Sequence, residues 1–279
     1  MLDLLNIYWL SVFASSLLGG GLALLGVQLA ARDKAMQTMC VGQGAMLGVL
    51  LGIGLTQIFH GGTAWKISLP FALAASTATI TFTASERLVK NKSSSSNTHF
   101  AALFSILLAG GFLISSLFPA LENHMTQKYF GDLATMNEQS AWTVSFLGLT
   151  LIVTLFKYQR PISRDSFAQT ILGSRTTPTR LLFSIGTLLT LCIAVQLVGF
   201  LFTVACLFLP TSILSFGSKN GLQRHTVTCC GVAIIACCGG FLFTLWQTHL
   251  PTVPTIIIFI ASIAFFMNFL RPWRVSTKT

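Results

Sequence analysis

The sequence predicts an all-α polytopic membrane protein, a single domain over residues 1–279 with about nine transmembrane helices. Three observations carry this reading. Of the 279 residues, 53% are hydrophobic and only 9% charged, against about 25% charged in an ordinary soluble chain. Apolar runs of bilayer length recur near 6–30, 39–59, 67–83, 99–119, 141–156, 181–197, 199–216, 226–247 and 255–270. The basic residues fall in alternate connections between these runs, the bias that cytoplasmic loops show. The formal charge of +10 is therefore read against a lipid bilayer, and no nucleic-acid partner is expected.

The first run is preceded by no basic residue, since the first is Arg32. It lacks the basic n-region of a signal peptide and is expected to stay in the mature chain. In the second run, Gly44, Gly48 and Gly52 recur every fourth residue and predict a smooth stripe where another helix comes within backbone contact. Beside the stripe, Met39 and Gln43 lie one turn apart with Met36 a turn below. This narrow polarisable face is the candidate lining of a pathway; the competing reading is that Met39 and Gln43 simply pack.

The connection at 83–98 contains Ser93 to Ser96 and reads as a soft linker. The connection from Lys157 to Arg180 carries more. Asp165 is placed to cap a short helix over Ser166 to Leu172, with Gly173 as its left-handed stop. Phe167 and Ile171, and Ala168 and Leu172, are each one turn apart, giving an apolar face flanked by basic residues. Such a face suits a peg docking into a partner or a helix lying on lipid headgroups. The run 181–216 is too long for one span and is expected to be a hairpin split at Gly199.

Seven cysteines lie almost entirely inside apolar runs, where no disulfide framework is expected. Cys229-Cys230 and Cys237-Cys238 stand two turns apart and could hold a soft metal, but without a CxxC or a nearby histidine they are expected to pack.

With odd-numbered spans ending inside, fifteen of the seventeen Lys and Arg residues fall on the inner side, and only Lys66 and Lys128 on the outer. This places the N-terminus outside and the C-terminus inside. The outer loops carry His60, Glu122, His124, Asp132, Glu138 and His249, a rim that attracts cations unless it is plain loop polarity. There is no GxxxxGK[ST], no HExxH and no GxSxG, so an enzyme is not expected. No Asp, Glu, Lys or Arg sits in mid-span, unlike the relays of proton-coupled carriers. A pore or carrier powered by another chain is favoured over an ATP-independent secondary carrier or a membrane scaffold.

Several segments resemble the permease subunits of the bacterial ABC importers for zinc and manganese. VGFLFTVACLFLPTSIL at 198–214 is similar to the family's VGxLLVxALLxxPAA, HLPTVPTIII at 249–258 to DLPTGPxIV, and YFGDL at 129–133 to LFGxIL. RDSFAQTILG at 164–173 resembles the cytoplasmic coupling segment FDPEFAxxLG, and LLGVQLAARDKAM at 24–36 the family's GVFVVLRRM. The resemblance implies a homodimer in the bacterial inner membrane, an ABC ATPase subunit gripping the coupling helix near 164–173, and a periplasmic metal-binding protein. It implies no permanently bound cofactor, the metal ion being cargo. ATPase coupling then falls to Asp165, Phe167, Ala168, Ile171, Leu172 and Gly173.

The second helix departs from the family. The family's pathway Asp and His, four residues apart, are Met39 and Gln43 here, its LPG is Met46-Leu47-Gly48, and the Asp and Gly of DLPTGP are His249 and Val253. Three accounts follow from this: softer ligands (Met36, Met39, Cys40, Gln43), passage without a mid-membrane stop or inside a small carrier, or entrance of the metal at the histidine-rich rim.

Overall fold

The computed structural model of the protein describes residues 2–58, 63–90, 96–118, 121, 127–131, 133–134, 136–172, 178–214, 222–247 and 249–269, with backbone alone at several helix ends. Nine long helices stand among them: α1 (Leu2–Ala30), α2 (Ala35–Ile58), α3 (Thr63–Lys90), α4 (Ser96–Leu117), α5 (Glu138–Leu172), α6 (Pro178–Leu197), α7 (Phe200–Ile213), α8 (Leu222–Trp246) and α9 (Thr252–Phe269). A further helical turn occupies 127–130, and the described residues include no strand.

Six of these helices have the length and apolarity to cross a membrane: Ile7–Ala30, Ala35–Gln57, Asn97–Leu117, Glu138–Ile162, Thr179–Leu197 and Gln223–Trp246. The expectation of nine such spans is met only that far. Phe200–Ile213 and Thr252–Met267 are apolar but shorter. The 14 residues of α7 extend about 21 Å at helical rise, less than the bilayer core of about 30 Å. α3 is rich in Thr and Ser, which lowers its hydropathy.

Between lipid-exposed helices there is no hydrophobic driving force, so close packing must hold the bundle. α1 supplies the axis: it is the most deeply buried of the six spans and packs against α5, α7 and α8. Its small residues make this possible. A side chain at Gly26 would run into the Leu207 carbonyl of α7, and one at Gly20 into Ile234 of α8.

Contacts along the seams fix direction. α5 lies parallel to α1, with Gly148 against Leu17 and Leu18 and Arg32 bonded to the Ile162 carbonyl at 3.2 Å. α3 returns antiparallel to α2, from Pro70 beside Gly52 to Ser85, which accepts from Gln37 at 2.9 Å. α4 runs parallel to α2, from Phe100 beside Cys40 to Phe118 beside Gly54. One end of the bundle thus carries Arg32, Lys34, Arg87, Lys157, Arg160, Arg164, Arg180 and Arg224, and the other, among the described residues, Lys66 and Lys128.

The apolar run 181–216 does break at Gly199, whose φ of +110° is a left-handed value that favours glycine. Gly131 (φ +85°) lies directly against it, and a Cβ on either would enter the other segment's backbone. At this crossing Lys128 donates to the Gln196 carbonyl at 2.7 Å, satisfying the C-terminal turn of α6.

The expectation of a separate short helix capped by Asp165 is corrected. α5 is continuous from Glu138 to Leu172 and passes through Pro161, so Asp165 is interior to a helix. Pro161 faces outward, where the carbonyl freed by its missing N–H need not find a buried partner.

Candidate functional site

The glycine stripe of α2 faces α3. A Cβ at Gly44 would meet Thr81, one at Gly48 would meet Thr77 and the backbone of Leu73 and Ala74, and one at Gly52 would meet Pro70. Thr77 bridges the two helices, its hydroxyl donating to the Gly44 carbonyl at 2.8 Å.

The next face of α2 meets α4. Cys40 is 1% exposed and its thiol donates to the Phe100 carbonyl at 3.1 Å. One turn on, Gln43 is also 1% exposed, and its Oε1 has no hydrogen-bond partner among the described residues. Leu47 then meets Gly110 and Leu50 meets Gly111. Met39 is half-buried and Met36 exposed, so the four candidate lining residues run from the basic end into the α2–α4 seam. Aromatics gather at this level of α2: Phe200 lies 6.3 Å from Phe104 and 5.7 Å from Tyr129 between ring centroids. Gly42 lies against the Phe200 ring.

The Cys40 thiol, the Met39 thioether and the Gln43 amide oxygen make a soft to borderline donor set. The orphaned Gln43 oxygen is the notable member. An unpaired buried polar group costs about 1–3 kcal/mol. α4 is the least buried of the six spans and packs chiefly on α2.

The rim residues are placed less fully. His249 is exposed in the turn between α8 and α9. His60, Glu122, His124 and Asp132 lie outside the described residues. Asp165, Phe167, Ala168, Ile171 and Leu172 form the last turns of α5, their side chains outside the described set, as is Gly173 altogether. No group of three or more His, Cys, Asp or Glu is gathered among the described residues.

The sequence reading missed several long-range partnerships. Gln159 donates to Thr226 at 3.1 Å, and Lys34 pairs with Glu86 at 3.2 Å. It also placed no histidine near the cysteine pairs, but His225 sits one turn before Cys229, with Nε2 3.6 Å from the sulfur and both residues buried. The i, i+4 spacing on α8 was the available signal. The cysteines are free thiols, six of them buried.

Burial holds the Lys128 ammonium below its usual pKa of 10.5. Between that lowered value and 10.5 the unfolded chain binds more protons, so stability contributed at this site rises with pH through the window. Melting curves of the wild type and Lys128→Gln should therefore show the wild type gaining on the variant as pH climbs toward 10.5. A gap that narrows with pH would refute the buried-ammonium account.

The ABC 3 transport family model matches residues 6–271. An uncharacterised membrane protein of Synechocystis sp. (strain ATCC 27184 / PCC 6803 / Kazusa) is 24% identical over 176 residues, 62% of this chain and 62% of the relative. The chain thus spans somewhat under two thirds of that relative's length. Among solved structures, PsaBC from Streptococcus pneumoniae in complex with Fab superposes with a TM-score of 0.74 at 15% identity, over 97% of this chain and 95% of the other. An inward-facing structure described as a metal-chelate type ABC transporter gives 0.63 at 16% identity, over 92% and 82%. At these identities the structures speak for the fold, and the family match over nearly the whole length decides the rest: the chain belongs to the ABC 3 transport family.

Proposed function

We propose that this chain is the permease subunit of an ABC importer that carries a divalent metal ion, zinc or manganese, through the bacterial inner membrane. The family match over residues 6–271 carries the reading. Two copies form the conduit, a separate ATPase subunit grips the end of α5 at 164–173, and a periplasmic metal-binding protein delivers cargo. All nine helices cross or enter the bilayer, with the N-terminus periplasmic and the basic end cytoplasmic. The concentration of cations at one end of the bundle supports that orientation.

In this reading the α2–α4 seam is the shut pathway. Movement of α4 exposes Met39, Cys40 and Gln43, whose donors take the cargo briefly, and the aromatics Phe104, Tyr129 and Phe200 seal it from the far end. A second reading, that the metal travels inside a small chelate, is supported by the absence of a hard ligand at Met39 and Gln43 and by the metal-chelate type of one structural neighbour. Uptake of free metal against chelated metal separates the two.

The test is reconstitution with the ATPase in proteoliposomes, where zinc or manganese uptake should require ATP. Uptake by the chain alone, without ATP, would end the importer reading. Phe167→Asp should uncouple the assembly. A large apolar side chain buried in an ATPase groove contributes about 1.5–3 kcal/mol, and an unpaired carboxylate there costs more. ATPase association and uptake should each drop at least about tenfold, while the melting temperature of the permease stays unchanged. Normal association of the variant would remove the coupling assignment.

A further inference from the structure

Between α5 and α6, floored by Leu25 of α1, lies an open groove of about 420 Å³ that no part of the proposed pathway uses. Its walls include Leu151, Thr154 and Tyr158 of α5 and Leu182, Gly186 and Thr190 of α6. The hydroxyls of Thr154, Thr187 and Thr190 donate back to their own helices, to the carbonyls of Thr150, Phe183 and Gly186. These three hydroxyls are engaged within their own helices, leaving a mostly apolar lining whose other polar side chains are Tyr158 and Thr179. Gly186 leaves its part of the wall open, with nothing within 4 Å of where a Cβ would stand.

The groove extends from Leu151 and Thr190 to Ile162 and Thr179, eleven residues on either wall or about 16 Å at helical rise. This is close to half the bilayer core of about 30 Å, the depth of one leaflet. The shallow end opens among cations. Arg32 stacks on the Phe183 ring at 4.1 Å and bonds the Ile162 carbonyl, both on groove-lining residues. Lys157 lies 5.8 Å from the ring of Tyr158, about one turn inside that end, and Arg180 follows Thr179 at it.

We infer that the groove is a binding site for an anionic phospholipid of the basic-side leaflet, one acyl chain lying between α5 and α6 and the phosphate held by the cations at the mouth. An apolar slot one leaflet deep, ending in positive charge, matches the two halves of that molecule.

The test uses the full chain in nanodiscs of mixed phosphatidylglycerol and phosphatidylcholine, followed by gentle detergent extraction and native mass spectrometry. The wild type should retain phosphatidylglycerol in preference to phosphatidylcholine. Gly186→Leu narrows the slot partway along its length and should lower retention of both. Lys157→Gln and Arg180→Gln leave the slot open, and each should weaken the preference for phosphatidylglycerol about fivefold. Equal retention of the two lipids by the wild type would overturn the proposal, as would unchanged retention in Gly186→Leu. Disulfide capture of one copy by another through Leu182→Cys would also overturn it, by showing that a second chain fills the groove. The charge variants lie outside the packed core, so a folding defect in Gly186→Leu would not blunt the test.

Discussion

Replacing Gly48 with leucine should abolish the folded protein. A Cβ at that position would collide with the Leu73 carbonyl, Ala74 Cα and the Thr77 hydroxyl of α3, two of them main-chain atoms that no rotamer change can move aside. Overpacking of a core commonly costs about 1–3 kcal/mol where side chains can yield. Here α2 and α3 must separate instead, and the Thr77 bond to the Gly44 carbonyl goes with them. Against a total stability of about 5–15 kcal/mol, the variant should give little or no monodisperse material in detergent. Gly186→Leu is the control, since the same change there meets open space. Equal yield and melting temperature for the two variants would mean that the α2–α3 seam is looser than its geometry states.

The α2–α3 seam was legible because its signal is periodic: three glycines at a spacing of four define a face whatever packs on it. The break at Gly199 was legible from length alone, since the run 181–216 could not cross the membrane once. The separation of the cations onto two ends was legible too, because charge marks a loop without regard to its neighbours. What could not be read were facts fixed by residues far apart in the chain. Gln37 finds Ser85 and Gln159 finds Thr226 only after the helices pack. α5 continues through Pro161, which is exposed, to Leu172, a continuation that the composition of the connection did not signal. The polarity of Gln43 was visible and its fate was not: whether that face sees water, lipid or another helix depends on where α4 lies.

Gln43 is accordingly the position where stability and transport should part. Leucine is close to glutamine in size and removes the orphaned oxygen without opening a cavity. Relief of an unpaired buried polar group is worth about 1–3 kcal/mol, so Gln43→Leu should melt at a higher temperature than the wild type. The same substitution deepens the closed state of the α2–α4 seam and deletes one of its cargo donors. If opening must now overcome that added stability, ATP-driven uptake should fall by about tenfold for each 1.4 kcal/mol gained. Stabilising changes that reduce activity are the expected pattern where function relies on a strained or unsatisfied site. The two readouts fail separately. A lower melting temperature would show that Gln43 is satisfied in the membrane. A more stable protein that transports as well as the wild type would move the pathway away from α4, leaving Met39, Cys40 and Gln43 as packing residues.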